Sequence, residues 1–173
     1  MKKIFAFALL IGLFSAQKSF AQDNKSALPS PPAKVTETLA SGAAIAISYS
    51  QPAVKGRTIG KNLEPMEGKV WRTGANDATV FETTKEISVE GKTLAAGKYG
   101  LFSIVKNGEW TIIFNKTWKQ WGAFQYKEAD DVLRIQVKGS KAPSFSERLT
   151  FLIDKSGKVS LLWGDNQVNF QTK

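Results

Sequence analysis

The sequence predicts an all-β protein: a single antiparallel β-sandwich or flattened barrel of about eight to ten short strands. Three observations carry this expectation. From about Val35 onward, apolar residues alternate with period two and not 3.6. Turn-forming residues recur about every eight to twelve positions. No window of twelve or more residues carries a helical apolar stripe.

The elements follow in chain order. Met1-Lys2-Lys3 is a positive start, and residues 4–14 are apolar except for Gly12. Small Ser19 and Ala21 then stand at the spacing of a signal-peptidase site, so residues 1–21 read as a secretory signal peptide cleaved after Ala21. An apolar run of eleven residues falls well short of the ~20 needed to span a bilayer. No Cys follows the run, which excludes a lipid-anchored lipoprotein, and no later segment is apolar enough for a transmembrane span in the mature chain. Residues 22–34 read as a polar tether ending in Pro29-Ser30-Pro31-Pro32, and residues 35–173 as one domain.

Within that domain, residues 43–50 place Ile45, Ile47 and Tyr49 on one face of a strand. Residues 69–73, 79–84 and 86–89 read as further strands. In residues 98–105, Tyr99 and Leu101 alternate with Phe102 and Ile104, so this strand is expected to be covered on both sides. Asn107-Gly108 supplies the positive φ of a tight hairpin turn into residues 109–115, where Trp110, Ile112 and Phe114 share a face. Residues 131–137, 147–153, 158–163 and 167–171 complete the set, with turns at 154–157 and 164–166. Residues 51–68 break the rhythm: Pro52, Gly56, Gly60, Pro65 and Gly68 alternate with Lys55, Arg57 and Lys61. A connection this long is more often functional or mobile than merely connecting.

Composition limits the chemistry. The 173 residues include no His and no Cys. That removes the Ser-His-Asp triad, a thiol nucleophile, an imidazole base, a His or Cys zinc site and any disulfide. No cofactor motif is present. Removal of residues 1–21 takes away Lys2, Lys3 and Lys18 and no acid, leaving 21 basic and 15 acidic residues, net +6. An exported cationic protein meets anionic glycans, lipid headgroups and acidic proteins before it meets nucleic acid.

Four segments bear on function. Gly91-Lys92-Thr93 and Gly97-Lys98-Tyr99 mimic a phosphate loop, but the spacing is wrong and Tyr99 stands where a magnesium-binding hydroxyl is required. Asp130-Asp131 and Asp154 lack the alternating pattern of a calcium loop and read as turn acids. Trp110, Phe114, Trp118, Trp121, Phe124 and Tyr126 interleave with Lys116, Lys119 and Lys127. Trp110 and Phe114 read as core; Trp118 and Trp121 divide evenly between core and a partly exposed surface for sugar rings or lipid. Trp71-Arg72-Thr73-Gly74-Ala75-Asn76-Asp77 brings an indole, a guanidinium, an amide and a carboxylate around a Gly turn. Its Arg fork suits carboxylate, sulfate or phosphate, while a buried pair locking a neighbouring loop explains the same residues structurally.

The runs Ile47-Ser48-Tyr49-Ser50-Gln51-Pro52, Lys55-Gly56-Arg57, Trp71-Arg72-Thr73-Gly74-Ala75-Asn76 and Ala96-Gly97-Lys98-Tyr99-Gly100-Leu101-Phe102 recur in a family order. They continue through Phe114-Asn115-Lys116, Gln120-Trp121-Gly122-Ala123-Phe124, Asp131-Val132-Leu133-Arg134 and the Trp163 strand. This order resembles the domain-of-unknown-function family 2911, abundant in exported bacterial proteins of the Bacteroidetes type. Gln51 departs from the basic residue more common there. The resemblance implies a periplasmic or extracellular single-domain context and no mechanism. It marks Arg57, Trp71, Arg72, Asn76, Trp121 and Arg134 as motif positions.

The leading expectation is therefore non-catalytic binding of a glycan or anionic envelope component through those six residues, with no metal and no nucleic acid. One alternative is a glycosidase-like hydrolase drawing two carboxyls from Asp77, Glu82, Glu109, Asp130 and Asp131. Another is an envelope module that recognises a protein through a sheet edge or apolar patch. Arg57, Arg72 and Arg134 are expected to converge on one region, with Trp71 or Trp121 as its wall and Asn76 at its rim. If that region is closed and paired with acids it is scaffolding, and Arg72→Ala costs about 3–5 kcal/mol.

Overall fold

The computed structural model describes residues 28–173. The leader expectation for residues 1–21, and most of the tether, lie outside the described residues. The protein is all-β, with nine strands and a single 3-10 turn, Glu128–Asp130, among the described residues. No helix there is long and apolar enough to cross a membrane.

Seven strands form one curled antiparallel sheet, in the order β1 (Pro32–Thr38), β2 (Ala44–Ser50), β3 (Thr79–Thr83), β6 (Gly97–Lys106), β7 (Glu109–Asn115), β8 (Asp131–Ile153), β9 (Lys158–Gln171). β4 (Ile87–Val89) and β5 (Lys92–Leu94) make a small separate hairpin. Period two sorts the side chains as expected. Ile45, Ile47, Phe81, Leu101, Trp110, Ile112, Phe114 and Ile135 enter one core, which β9 closes with Trp163 and Phe170. β6 is indeed covered on both faces: Phe102 forms a second cluster with Ala78 and Ile113, flanked by Ile104 and Tyr126.

The sheet curls until its N-terminal side meets β8. Val54 N–H donates to the Glu147 carbonyl and Leu149 N–H to the Pro52 carbonyl, at 2.8 and 3.0 Å. The Tyr49 hydroxyl crosses the core and accepts from Phe151 N–H at 3.0 Å. Arg148 ties the seam by donating to the Gln51 and Pro29 carbonyls at 3.1 and 3.3 Å.

The Asn107-Gly108 turn has both residues at positive φ, 53° and 77°, which fits the right-handed twist of the strands it joins. At 154–157 the Asp154 carboxylate accepts from Ser156 N–H at 2.9 Å and from the Ser156 hydroxyl at 2.6 Å. Those bonds hold its pKa below the usual carboxylate value.

The strand boundaries differ from expectation in five places. Residues 131–137 and 147–153 belong to one 23-residue strand, and 158–163 and 167–171 to one of 14. The expected turn at 164–166 is a bulge: Gly164 takes φ 59°, and register shifts let β8 loop out residues between Lys141 and Ser146. Bulges kink a strand without ending it. Residues 69–73 are not a strand, because Thr73 turns left-handed at φ 51° and leaves only Trp71 bridged to Ser103. β5 is an added strand whose hairpin with β4 is invisible in so short and polar a run. β1 begins at Pro32, inside the expected tether. Pro is tolerated there because β1 is an edge strand and Pro32 its first residue.

Candidate functional site

The Trp71–Asn76 segment is built by its own backbone. Trp71 exchanges both main-chain hydrogen bonds with Ser103 of β6, at 2.8 and 2.9 Å. This fixes its indole inside, where it stacks on Trp163 at 6.5 Å and 24° and donates Nε1–H to the Gly74 carbonyl at 3.0 Å. The chain then folds back. Thr79 Oγ1 donates to the Thr73 carbonyl at 2.9 Å, and a Cβ on Gly74 would stand 2.7 Å from that hydroxyl, so only Gly fits. Asn76, at φ 58°, donates Nδ2–H to the Ser30 carbonyl and Ser50 Oγ, each at 3.3 Å.

The opposite wall comes from residues 51–68. The Arg57 guanidinium donates to the Ala53 and Val54 carbonyls at 2.5 and 3.1 Å, pinning its loop. The Glu64 carbonyl accepts from Trp163 Nε1–H at 2.7 Å, and the Glu64 carboxylate accepts from Met66 N–H at 2.7 Å. The long connection is therefore packed covering, held by a core Trp. Between the two walls lies a cavity of about 360 Å³, lined by Arg57, Asn62, Glu64, Trp71, Arg72 and Asn76 among others.

Arg72 is the unusual group. Its side chain makes no hydrogen bond and no ion pair within 4.0 Å among the described residues, and its Nε is buried without a partner. Burial lowers its pKa, while the longer-range field of the Glu64 carboxylate opposes that shift. Arg carries only donors, and a buried donor without an acceptor is costly. The cavity thus presents a cationic fork to whatever enters it.

Four of the six sequence-predicted residues, Arg57, Trp71, Arg72 and Asn76, line this one cavity. The other two do not. Arg134 donates Nε–H to Asp131 at 2.6 Å and Nη2–H to the Tyr126 hydroxyl at 2.8 Å, and pairs with Glu128 at 3.1 Å. It sits in a local network at the start of β8, where the 3-10 turn supplies Glu128 and the residue after it, Asp131, supplies the second acid. Trp121 is 61% exposed on the β7–β8 loop, next to the rim, where Gly122 N–H donates to the Asn76 carbonyl at 2.9 Å. Trp71 is only 2% exposed, so it forms floor and not an open stacking wall. Glu64, Asn62 and Trp163 were missed, since nothing local in their segments signals a contact with Arg72 or Trp71.

Of the five carboxylates of the hydrolase alternative, Glu82 and Glu109 lie far apart, and the adjacent Asp130 and Asp131 are taken up by hydrogen bonds. Glu82 pairs with Lys98 at one end of β6, while Glu109 lies opposite Lys106 at its other end. Eight residues of strand separate those positions by about 26 Å, far beyond the ~5–9.5 Å of a catalytic pair. Asp131 is spent on Asn115, Tyr126 and Arg134, and Asp130 accepts from Thr117. A larger hollow of about 630 Å³ lies beside Trp118 and the outer side of β1–β3, but its charged residues Lys34, Asp77 and Lys119 are all exposed. The smaller cavity, holding the unpartnered cation, is the better candidate.

The family described as "Protein of unknown function (DUF2911)" matches residues 30–172. No curated protein and no solved structure matches the chain.

Proposed function

The chain belongs to the DUF2911 family, and from that premise we propose that it is an exported domain that binds an anionic group, without chemistry, in the cavity at Arg72. The observation that carries the reading is the unpartnered Arg72 guanidinium, buried at Nε and facing a cavity of about 360 Å³. A carboxylate, phosphate or sulfate satisfies such a fork with charge-assisted hydrogen bonds. The volume admits a single sugar acid or sugar phosphate and excludes a long chain. Asn62 and Asn76 supply amides at the margin for neutral hydroxyls. Export and the cationic mature chain agree with an anionic component of the bacterial envelope as the source.

The test is titration calorimetry with inorganic phosphate, sulfate, a uronic acid and a sugar phosphate, on wild type, Arg72→Gln and Arg72→Lys. Binding that is lost in Arg72→Gln and weakened in Arg72→Lys is expected, because an ammonium cannot reproduce the planar fork. Absence of binding across the panel at millimolar concentration overturns the reading.

A further inference from the structure

The β7–β8 loop, residues 116–130, holds two large aromatic rings in water. Phe124 is 86% exposed and Trp121 61%. Neither exposure results from a slack loop. Gln120, only 5% exposed, braces it from within by donating to the Thr117 carbonyl at 2.7 Å and accepting from Gln125 N–H at 3.0 Å. Asn115 donates to the Lys127 carbonyl at 3.0 Å, Lys116 N–H donates to the Asp130 carbonyl at 2.9 Å, and Trp121 bridges the Asp77 backbone. Gly122, at φ +62°, lets the Phe124 ring lie against its own backbone. A loop braced by buried polar bonds thus presents apolar surface outward, the reverse of what stability alone favours.

The charge around the rings is of one dominant sign. Lys116, Lys119 and Lys127 are exposed on the same loop, while Lys98, 5.5 Å from the centre of the Trp118 ring, is paired with Glu82. Of the neighbouring acids, Glu128 is paired with Arg134, Asp130 accepts from Thr117, and Asp131 is enclosed by Asn115, Tyr126 and Arg134. Asp77 is the exposed acid beside Trp121.

We propose that the 116–127 loop is a docking surface for an anionic phospholipid bilayer, with Trp121 and Phe124 entering the headgroup–acyl boundary and the three lysines meeting lipid phosphates. Trp is at home at that boundary, an exposed Phe gains apolar contact there, and basic residues add attraction to anionic lipid. A sugar ring is less well served, because Phe124 offers no polar edge and stands clear of any recess. The surface adjoins the rim of the Arg72 cavity, but no residue of the 116–127 loop lines that cavity, so each can fail without the other.

The experiment uses the exported protein, its mass confirming removal of the apolar leader. It is co-sedimented with vesicles of phosphatidylcholine alone or with about one-third phosphatidylglycerol, since each lysine near an anionic surface multiplies partition roughly fivefold. Binding to the anionic vesicles with a blue-shifted Trp emission, falling as salt is raised, is the expected result. Trp121→Ser with Phe124→Ser should weaken it about tenfold or more, and Lys→Gln at 116, 119 and 127 about a hundredfold. Both variants should keep the wild-type melting temperature, because none of these side chains is buried. No vesicle binding, equal binding to neutral vesicles, indifference to the aromatic substitutions, or retention on a polysaccharide in place of vesicles would each overturn the proposal.

Discussion

Replacing Arg72 by Met separates a binding cation from a structural one. Met retains an unbranched stem that fills much of the same space but removes the guanidinium. Leaving a buried donor unsatisfied costs about 1–3 kcal/mol. Arg72 is only half-buried, so the lower end applies, about 1 kcal/mol. Losing the long-range attraction to Glu64 offsets a few tenths of that, about the worth of a partly exposed pair. The lowered pKa has the same meaning: at neutral pH the fold carries the charged form that burial disfavours. Arg72→Met should therefore leave the melting temperature unchanged or raise it by about 2–4 °C. The assay is calorimetric melting in a buffer free of phosphate and sulfate. Added sulfate should then stabilise wild type, by linkage, and leave the variant where it was. A fall of about 5 °C or more in Arg72→Met without added anion would refute the reasoning, since it would show that the guanidinium holds the walls together.

Three further outcomes are expected. Asp131→Ala removes one partner from each of Arg134, Tyr126 and Asn115 and should cost about 3 kcal/mol in urea unfolding; a loss within experimental error would remove that network from the list of stabilising features. Tyr126 is pushed up to about 12 from 10.0, chiefly by burial and then by Asp131, so its neutral form is favoured by folding. That contribution is present below pH 10 and is lost as pH rises from 10 to 12; Tyr126→Phe should flatten this part of the alkaline stability curve, and an identical slope would contradict it. Trp163→Phe removes the 2.7 Å bond to the Glu64 carbonyl, with an expected cost of about 1–3 kcal/mol and faster amide exchange in residues 51–68. Unchanged exchange there would mean that other contacts hold the connection.

The sequence revealed those features whose cause is local. Alternation placed Ile45, Ile47 and Tyr49, and Trp110, Ile112 and Phe114, on the correct faces, because period two is imposed by the pleat. Asn107-Gly108 located a hairpin because few other pairs adopt positive φ twice. The continuity of β8 was hidden, since its bulges carry the same small and polar residues as a turn. The edge strand at Pro32 was hidden by its polar composition. For the site, the Trp71–Asn76 turn pointed to itself through its unusual mixture of groups. Arg134 was misplaced because an Arg on a strand looks the same whether its acids come from across the fold or, as here, from three and six residues upstream. Glu64 and Trp163 were beyond reach, their meeting depending on the curl of the whole sheet.

That curl bears on the order in which the molecule assembles. Along the large sheet each strand pairs with the next strand of that sheet in chain order, so every closure except residues 51–78, the step around the β4–β5 hairpin and the 116–130 loop is short. The seam at Arg148 differs: its bonds to Gln51 and Pro29 join positions 97 and 119 residues apart. Closing so long a loop costs chain entropy that is recovered only after the strands between are in place. The meander should therefore form first and the seam last. Arg148→Ala would then speed unfolding and leave the refolding rate near that of wild type, making the junction of residues 52–55 with β8 the place where the native barrel first opens.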